Sequence, residues 1–238
     1  MAMDKISRKD FIDVALDVKR YVGFLSDLGC KGLDCSPESL AILSAWGKPR
    51  IAKMGMLETL QTDLGDCRRC GLAGQRCHLV FGTGNPHARL MFIGDAPGVE
   101  EDKDGKSFAG AAGQLLAKMI EAMGLSRDEV YMTTLVKCRP LERRNPLPEE
   151  IKACFPYLEK QIFSVNPEVI CTLGAFATQV ILGKHEGVSA MRGQFHTYGS
   201  CQIMPTFHPS YLLGNPSSKR EAWDDLKKIM GLLGLERK

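Results

Sequence analysis

Cys67 and Cys70 bracket a pair of arginines, and Cys138 and Cys154 follow at a distance. Four thiolates around one metal centre call for such a pattern. One turn supplies the tight C-x2-C pair, and the distant pair closes the site and ties chain segments together. Thiolate count alone does not separate zinc from an iron–sulfur cluster, and Cys77, close to the tight pair, is the alternative ligand. Cys30, Cys35, Cys171 and Cys201 read as ordinary thiols, because their spacing matches no common metal motif.

A second set of reactive residue types fills Ile93–Gly113, IGDAPGVEEDKDGKSFAGAAG. The apolar run from Leu90 stops at Gly94-Asp95-Ala96-Pro97-Gly98, carboxylates follow at Glu100, Glu101, Asp102 and Asp104, and Phe108 stands among small residues. A buried strand that ends in small residues and carboxylates ahead of a helix is how an open α/β sheet builds a ligand crevice. A solvated acidic connection is the plainer reading. His208, in FHPSYLLGNP, follows another apolar run and so falls at the same sheet edge. An imidazole there could donate to negative charge developing on a ligand, or simply hold a turn. Leu212 and Leu213 are either a hydrophobic anchor or a wedge for a nucleic-acid base step. Thr133 or Thr134 reaches the crevice edge, and Lys137, Arg139, Arg143 and Arg144 make a basic cluster just beyond. By default such a run is a solvated face. With Arg68, Arg69 and Arg76 it becomes a reasonable phosphate-contacting surface.

The elements that must carry these residues alternate from Leu79 onward. Apolar runs predict strands at Arg89–Ile93, Val130–Val136, Val169–Leu173 and Gln202–Thr206. Helical spacing predicts Gln114–Met123, Pro148–Phe163, Ala175–Leu182 and Lys219–Leu233, the first closed by Gly124 and the second broken by Asn166-Pro167. Alternating strands and helices imply a largely parallel sheet covered on both faces. Residues 1–60 read as a helical N-terminal extension, with helices at 10–28, 37–46 and 54–64, ahead of a main domain at 61–238.

Composition sets the outer bounds. At 44% apolar content the 238-residue chain is globular, and its net charge of +3 permits a polyanion partner without demanding one. No apolar run approaches a membrane span, and the N-terminus lacks the apolar core of a secretory signal. A cytoplasmic protein is expected. In a reducing compartment its nine cysteines are not a disulfide framework.

Taken together, GDAPG–VEED–G–SFAGAAGQLL, VKCRP–R–NP–PEEI–C–PYL and HPSYLL–NP resemble the iron–sulfur-containing, family-four uracil-DNA glycosylases. The resemblance runs from about Asp66 to about Leu232 and leaves the N-terminal extension outside it. It implies a three-layer α/β/α sandwich with a central four-stranded parallel sheet. It implies a [4Fe-4S] cluster on Cys67, Cys70, Cys138 and Cys154, and hydrolysis of the N-glycosidic bond of uracil in DNA. By position, Asp95, Glu101 and His208 would be catalytic. Gly94, Ala96, Phe108 and Thr134 would hold the extruded base. Lys137, Arg139, Arg143, Arg144, Leu212 and Leu213 would meet DNA. A monomer is expected, with the extension available to a repair partner. Two positions depart from the family pattern: Asp95 stands where Glu is common, and Thr134 where an Asn reads the uracil edge. Thr lacks the amide's paired carbonyl and N–H groups, so altered base selectivity is expected. The alternatives are a glycosylase for hypoxanthine or xanthine, or a non-catalytic module that binds damaged DNA.

Overall fold

The computed structural model describes residues 51–235, within a compact unit that runs from Pro49 to Lys238. The helices expected at 10–28 and 37–46, with Cys30 and Cys35, fall outside the described residues. Helix α1 (Ile51–Leu64) belongs to the main body, because Leu57, Leu60 and Leu64 are buried in one core with Leu158 and Ile162.

The strands are β1 (Thr83–Gly84), β2 (Leu90–Gly94), β3 (Tyr131–Thr134), β4 (Val169–Leu173), β5 (His196–Tyr198) and β6 (Cys201–Thr206). They form a six-stranded sheet in the order β1-β3-β2-β4-β6-β5. The inner four are parallel, and β1 and β5 flank them antiparallel. The expected four-stranded parallel sheet is thus the interior of a wider, mixed one.

Inner strands covered on both faces read as continuous apolar runs, and successive side chains point to opposite layers. Met91 and Ile93 pack with α1, α4 (Pro148–Val165) and α5 (Ala175–Leu182) through Leu158, Ile162, Ala177 and Ile181. Leu90 and Phe92 pack with α3 (Ala111–Ala122) and α8 (Lys219–Leu233) through Leu116, Ile120, Leu226 and Ile229. The result is the three-layer α/β/α sandwich. Three short helices serve the loops: α2 (Val99–Asp104), α6 (Val188–Met191) and α7 (Pro209–Gly214). Among the described residues no helix is long and apolar enough to cross a membrane.

From β2 the chain goes to β3 on one side, and from β4 it goes on to β6 on the other. The carboxyl ends of β2 and β4 therefore flank a topological switch point, where open α/β sheets form ligand crevices.

Candidate active site

β2 ends at Gly94, and the missing side chain there is a spatial requirement. A Cβ on Gly94 would lie 3.0 Å from Phe108 Cζ and 3.6 Å from His208 Nε2. Three separate segments thus converge on one spot: the end of β2, the loop ahead of α3 and the loop after β6. Phe108 is buried and holds a left-handed backbone, φ +54°.

Asp95 follows Gly94 into the switch point. Its Oδ1 accepts the Ala177 N–H at 2.7 Å, in the first turn of α5. Gly174, with φ +96°, separates Asp95 from His208: a Cβ there would lie 3.3 Å from His208 Cβ and 3.6 Å from Asp95 Oδ2. Burial pushes the Asp95 carboxyl up to about 6, against the pull of the Ala177 bond. Burial lowers His208 to about 4, although the Glu101 charge opposes the shift. At neutral pH the crevice therefore holds a carboxylate and a neutral imidazole.

The proton on that imidazole has one place to be. His208 is the N-cap of α7, and the Ser210 N–H donates to its Nδ1 at 3.1 Å, with Ser210 Oγ 2.6 Å from the same nitrogen. A nitrogen that accepts a backbone N–H carries no proton, so the neutral ring is protonated on Nε2. That is the nitrogen nearest Gly94.

Glu101 has a different occupation. Its Oε2 accepts the Gly98 N–H at 2.9 Å, and its Oε1 accepts those of Ala109 at 2.9 Å and Gly110 at 3.2 Å. The carboxylate braces the Gly94–Gly98 turn against the Phe108 loop. Ala96 packs against the cluster of Leu72, Val136 and Cys138. Thr134 pairs with Gly94 in the sheet. Its hydroxyl donates to the Val136 carbonyl at 2.8 Å, so its only proton is held within the strand end.

Two of the residues expected at the DNA surface are elsewhere. Lys137 is 1% exposed, and its ammonium donates to Thr133 Oγ1 at 2.6 Å and to the Thr134 carbonyl at 2.7 Å. Inside the protein these two acceptors satisfy the ammonium. Burial lowers its pKa to about 8, with Cys154 and Cys138 opposing. Leu212 is 1% exposed and packs with Phe207 and Ala222, so it anchors α7. Leu213, next in the chain, is 47% exposed and Tyr211 46%. Arg139 is half-buried, and Arg143 closes a short 3-10 turn from Leu141. Arg144 makes a bidentate pair with Glu150 at 2.7 and 2.8 Å, and Glu150 also accepts the Leu147 N–H. That pair ties the basic loop to the start of α4.

Cys67, Cys70, Cys138 and Cys154 line one cavity together with Arg69, Arg76, Lys137 and Tyr157. N–H groups point at the sulfurs: Arg69 Nη1 is 3.3 Å from Cys67 Sγ, Arg76 Nη1 3.2 Å from Cys138 Sγ, and the Lys137 amide 3.3 Å from Cys154 Sγ. As free thiols, Cys138 is pushed up to about 11 and Cys154 is also raised, both by burial. Among the described residues no group of three or more His, Cys, Asp or Glu side chains is placed to hold a single metal ion. The donor set, four thiols with N–H donors and cations around them, fits a thiolate-bound multinuclear group. Cys77 is exposed and its amide donates to Asp102; it is not among the residues that line this cavity.

Sequence reasoning passed over four residues that shape the site. Ala177 and Gly174 act through backbone and space alone, and carry no side-chain signal. Ser210 sits two residues after His208, the spacing of an N-cap partner, which is a readable signal. Arg127 lies on a turn far from any motif, yet its guanidinium meets the Phe108 loop.

Residues 81–227 match the model of the uracil DNA glycosylase superfamily. The chain is 40% identical over 188 residues to the type-4 uracil-DNA glycosylase of Sulfurisphaera tokodaii, covering 75% of this chain and 86% of that protein. It is 42% identical over 185 residues to the type-4 uracil-DNA glycosylase of Saccharolobus solfataricus, covering 74% and 86%. With the type-4 enzyme of Thermotoga maritima it shares 39% identity over 185 residues, 76% of this chain and 96% of that one.

Proposed function

The chain belongs to the uracil DNA glycosylase superfamily, and from that premise we propose that it excises uracil from DNA with Asp95 and His208 as the reacting pair. A base inside a duplex is out of reach, so the nucleotide must rotate out and be held by stacking and edge hydrogen bonds. Phe108, over Gly94, is the stacking surface. Cleavage of the N-glycosidic bond leaves the sugar cation-like and the departing base negative. His208 Nε2–H donates to the base oxygen as that charge develops. Asp95, ionised and with Oδ2 uncommitted to Ala177, orients the attacking water and stabilises the sugar. The observation that carries this reading is the bond from the Ser210 N–H to His208 Nδ1: it keeps that nitrogen an acceptor, so a neutral ring presents its Nε2–H to the crevice.

Glu101 then serves as the brace of the loop rather than as the water-positioning group, because both its oxygens accept backbone N–H bonds. Leu213 and Tyr211 are the apolar groups that enter the duplex. Arg139 and Arg144 meet phosphates, with Arg144 already oriented by Glu150.

Cys67, Cys70, Cys138 and Cys154 would hold a [4Fe-4S] cluster. When bound it supplies a staple joining the turn after α1, the end of β3 and α4. Arg69 and Arg76 direct cationic N–H groups at its thiolates.

Single-turnover incubation with oligonucleotides holding uracil, hypoxanthine or xanthine, followed by alkali cleavage of abasic sites, tests the reading. Scission at uracil, lost in Asp95→Asn and His208→Asn, is the expected result. Binding without scission would overturn it. Full activity in Asp95→Asn with loss in Glu101→Gln would reverse the two carboxylates' roles.

A further inference from the structure

The geometry points to Arg127 as a positioning residue for the base-stacking ring, an inference that rests on the reading of Phe108 as that ring. Phe108 is an aromatic residue at φ +54°, a backbone conformation that side-chain-bearing residues avoid and keep only where the surroundings impose it. What imposes it is visible on two sides. Below, Gly113 of α3 lies so close that a Cβ on it would be 1.8 Å from the Phe108 carbonyl oxygen. Only a glycine lets the loop rest on the helix backbone.

On the other side stands one guanidinium. Arg127 Nη1 donates to the Phe108 carbonyl at 3.1 Å and the Gly113 carbonyl at 3.3 Å, and Nη2 donates to the Ser107 carbonyl at 3.0 Å. Two consecutive carbonyls of the strained turn and one from the supporting helix are thus gathered on a single rigid fork. A planar guanidinium spans such acceptors at once, whereas an ammonium is a point donor on a flexible stem. The turn that carries Arg127 is itself fixed: Glu129 Oε2 accepts both the Ser126 N–H and its hydroxyl. These three bonds run to backbone carbonyls of the loop and of α3. It acts on the ring's direction through the backbone.

The experiment compares the wild-type holoprotein with Arg127→Lys, Phe108→Ala and the double variant. Three quantities are read: the single-turnover rate at saturating uracil-containing DNA, the inhibition constant of free uracil, and the affinity for a duplex carrying an abasic-site analogue. Arg127→Lys should lower the rate about tenfold or more and weaken uracil inhibition. Abasic-duplex affinity should stay within twofold. In the Phe108→Ala background the same substitution should add little, because both changes remove one interaction. A merely structural role would move abasic binding and rate together and would add in full to Phe108→Ala. That outcome, or a wild-type rate and uracil inhibition in Arg127→Lys, would overturn the inference. If Phe108→Ala itself leaves both quantities unchanged, the reading of Phe108 fails and this inference falls with it. Should Arg127→Lys not fold, Arg127→Gln, which keeps a planar donor group, is read by the same criteria.

Discussion

At the scale of single residues the crevice depends on two opposite burial effects. Desolvation lifts an acid toward neutrality and keeps a base unprotonated, so Asp95 at about 6 and His208 at about 4 leave a carboxylate and a neutral donor above pH 6. The rate constant kcat/KM should therefore rise with pH through about 6 to a plateau. Asp95→Asn should abolish that limb and lower single-turnover excision by about 10²- to 10⁴-fold. The stability consequence has the opposite sign. The folded state of Asp95 binds its proton more tightly than the unfolded state, so its buried charge opposes folding at neutral pH, and this penalty fades as pH falls from about 6 toward the unfolded value of about 3.9. Asp95→Asn should then unfold at a higher temperature than wild type at pH 7, with the gap closing in acid. Thr134 is the selectivity residue to test. Its hydroxyl proton goes to Val136, so Thr134 offers no free side-chain proton at the end of β3. Thr134→Asn should sharpen discrimination between uracil and cytosine by about 1–3 kcal/mol, the typical worth of one bidentate base contact, measured as a ratio of excision rates.

At the scale of elements, what sequence reasoning recovers and what it misses follow from length and burial. β4, α5 and α8 stand at the expected spans, because apolar runs and amphipathic repeats of five residues or more declare their period. β1 and β5 have no counterpart among the strands that the sequence predicts, since two or three residues hold no period. α2 and α7 hide inside motifs whose charged and proline residues look like loop. The sequence points to the carboxylates at 95 and 101 alike, and what each can do depends on which backbone N–H groups fold toward it. Lys137 sits in a basic run that looks solvent-facing, and only tertiary packing turns it inward. Leu212 and Leu213 show the same division one residue apart. Leu212→Ala should destabilise the fold by about 2–5 kcal/mol, read by denaturant unfolding. Leu213→Ala should leave stability nearly unchanged and slow excision from duplex more than from single-stranded DNA. Glu101→Gln should lower stability by about 1–3 kcal/mol, since an amide replacing a carboxylate leaves a backbone donor unmet.

At the scale of the whole molecule, the thiolate site and the crevice share one stretch of chain. From Thr134 to Cys138 the backbone bonds Gly94 and Asp95 on one side, through the Leu135 and Val136 amides, and Cys154 on the other, through the Lys137 amide. Removing a ligand should therefore be felt in both places. With the proposed [4Fe-4S] cluster on the four thiolates, Cys154→Ser should bleach its visible absorbance and lower Tm by about 10 °C, given about 3–5 kcal/mol for breaking a buried charged set at about 2–4 °C per kcal/mol. Excision should fall in step with that absorbance rather than with DNA affinity.

The two outermost strands bear on the molecule's life among other copies of itself. A long, flat, unpaired margin invites another chain to add on and start a fibre. Here β1 offers two residues, one of them a glycine, and β5 offers three. Neither is long enough to seed a ladder, so among the described residues the hydrophobic interior strands present no long open margin to another copy.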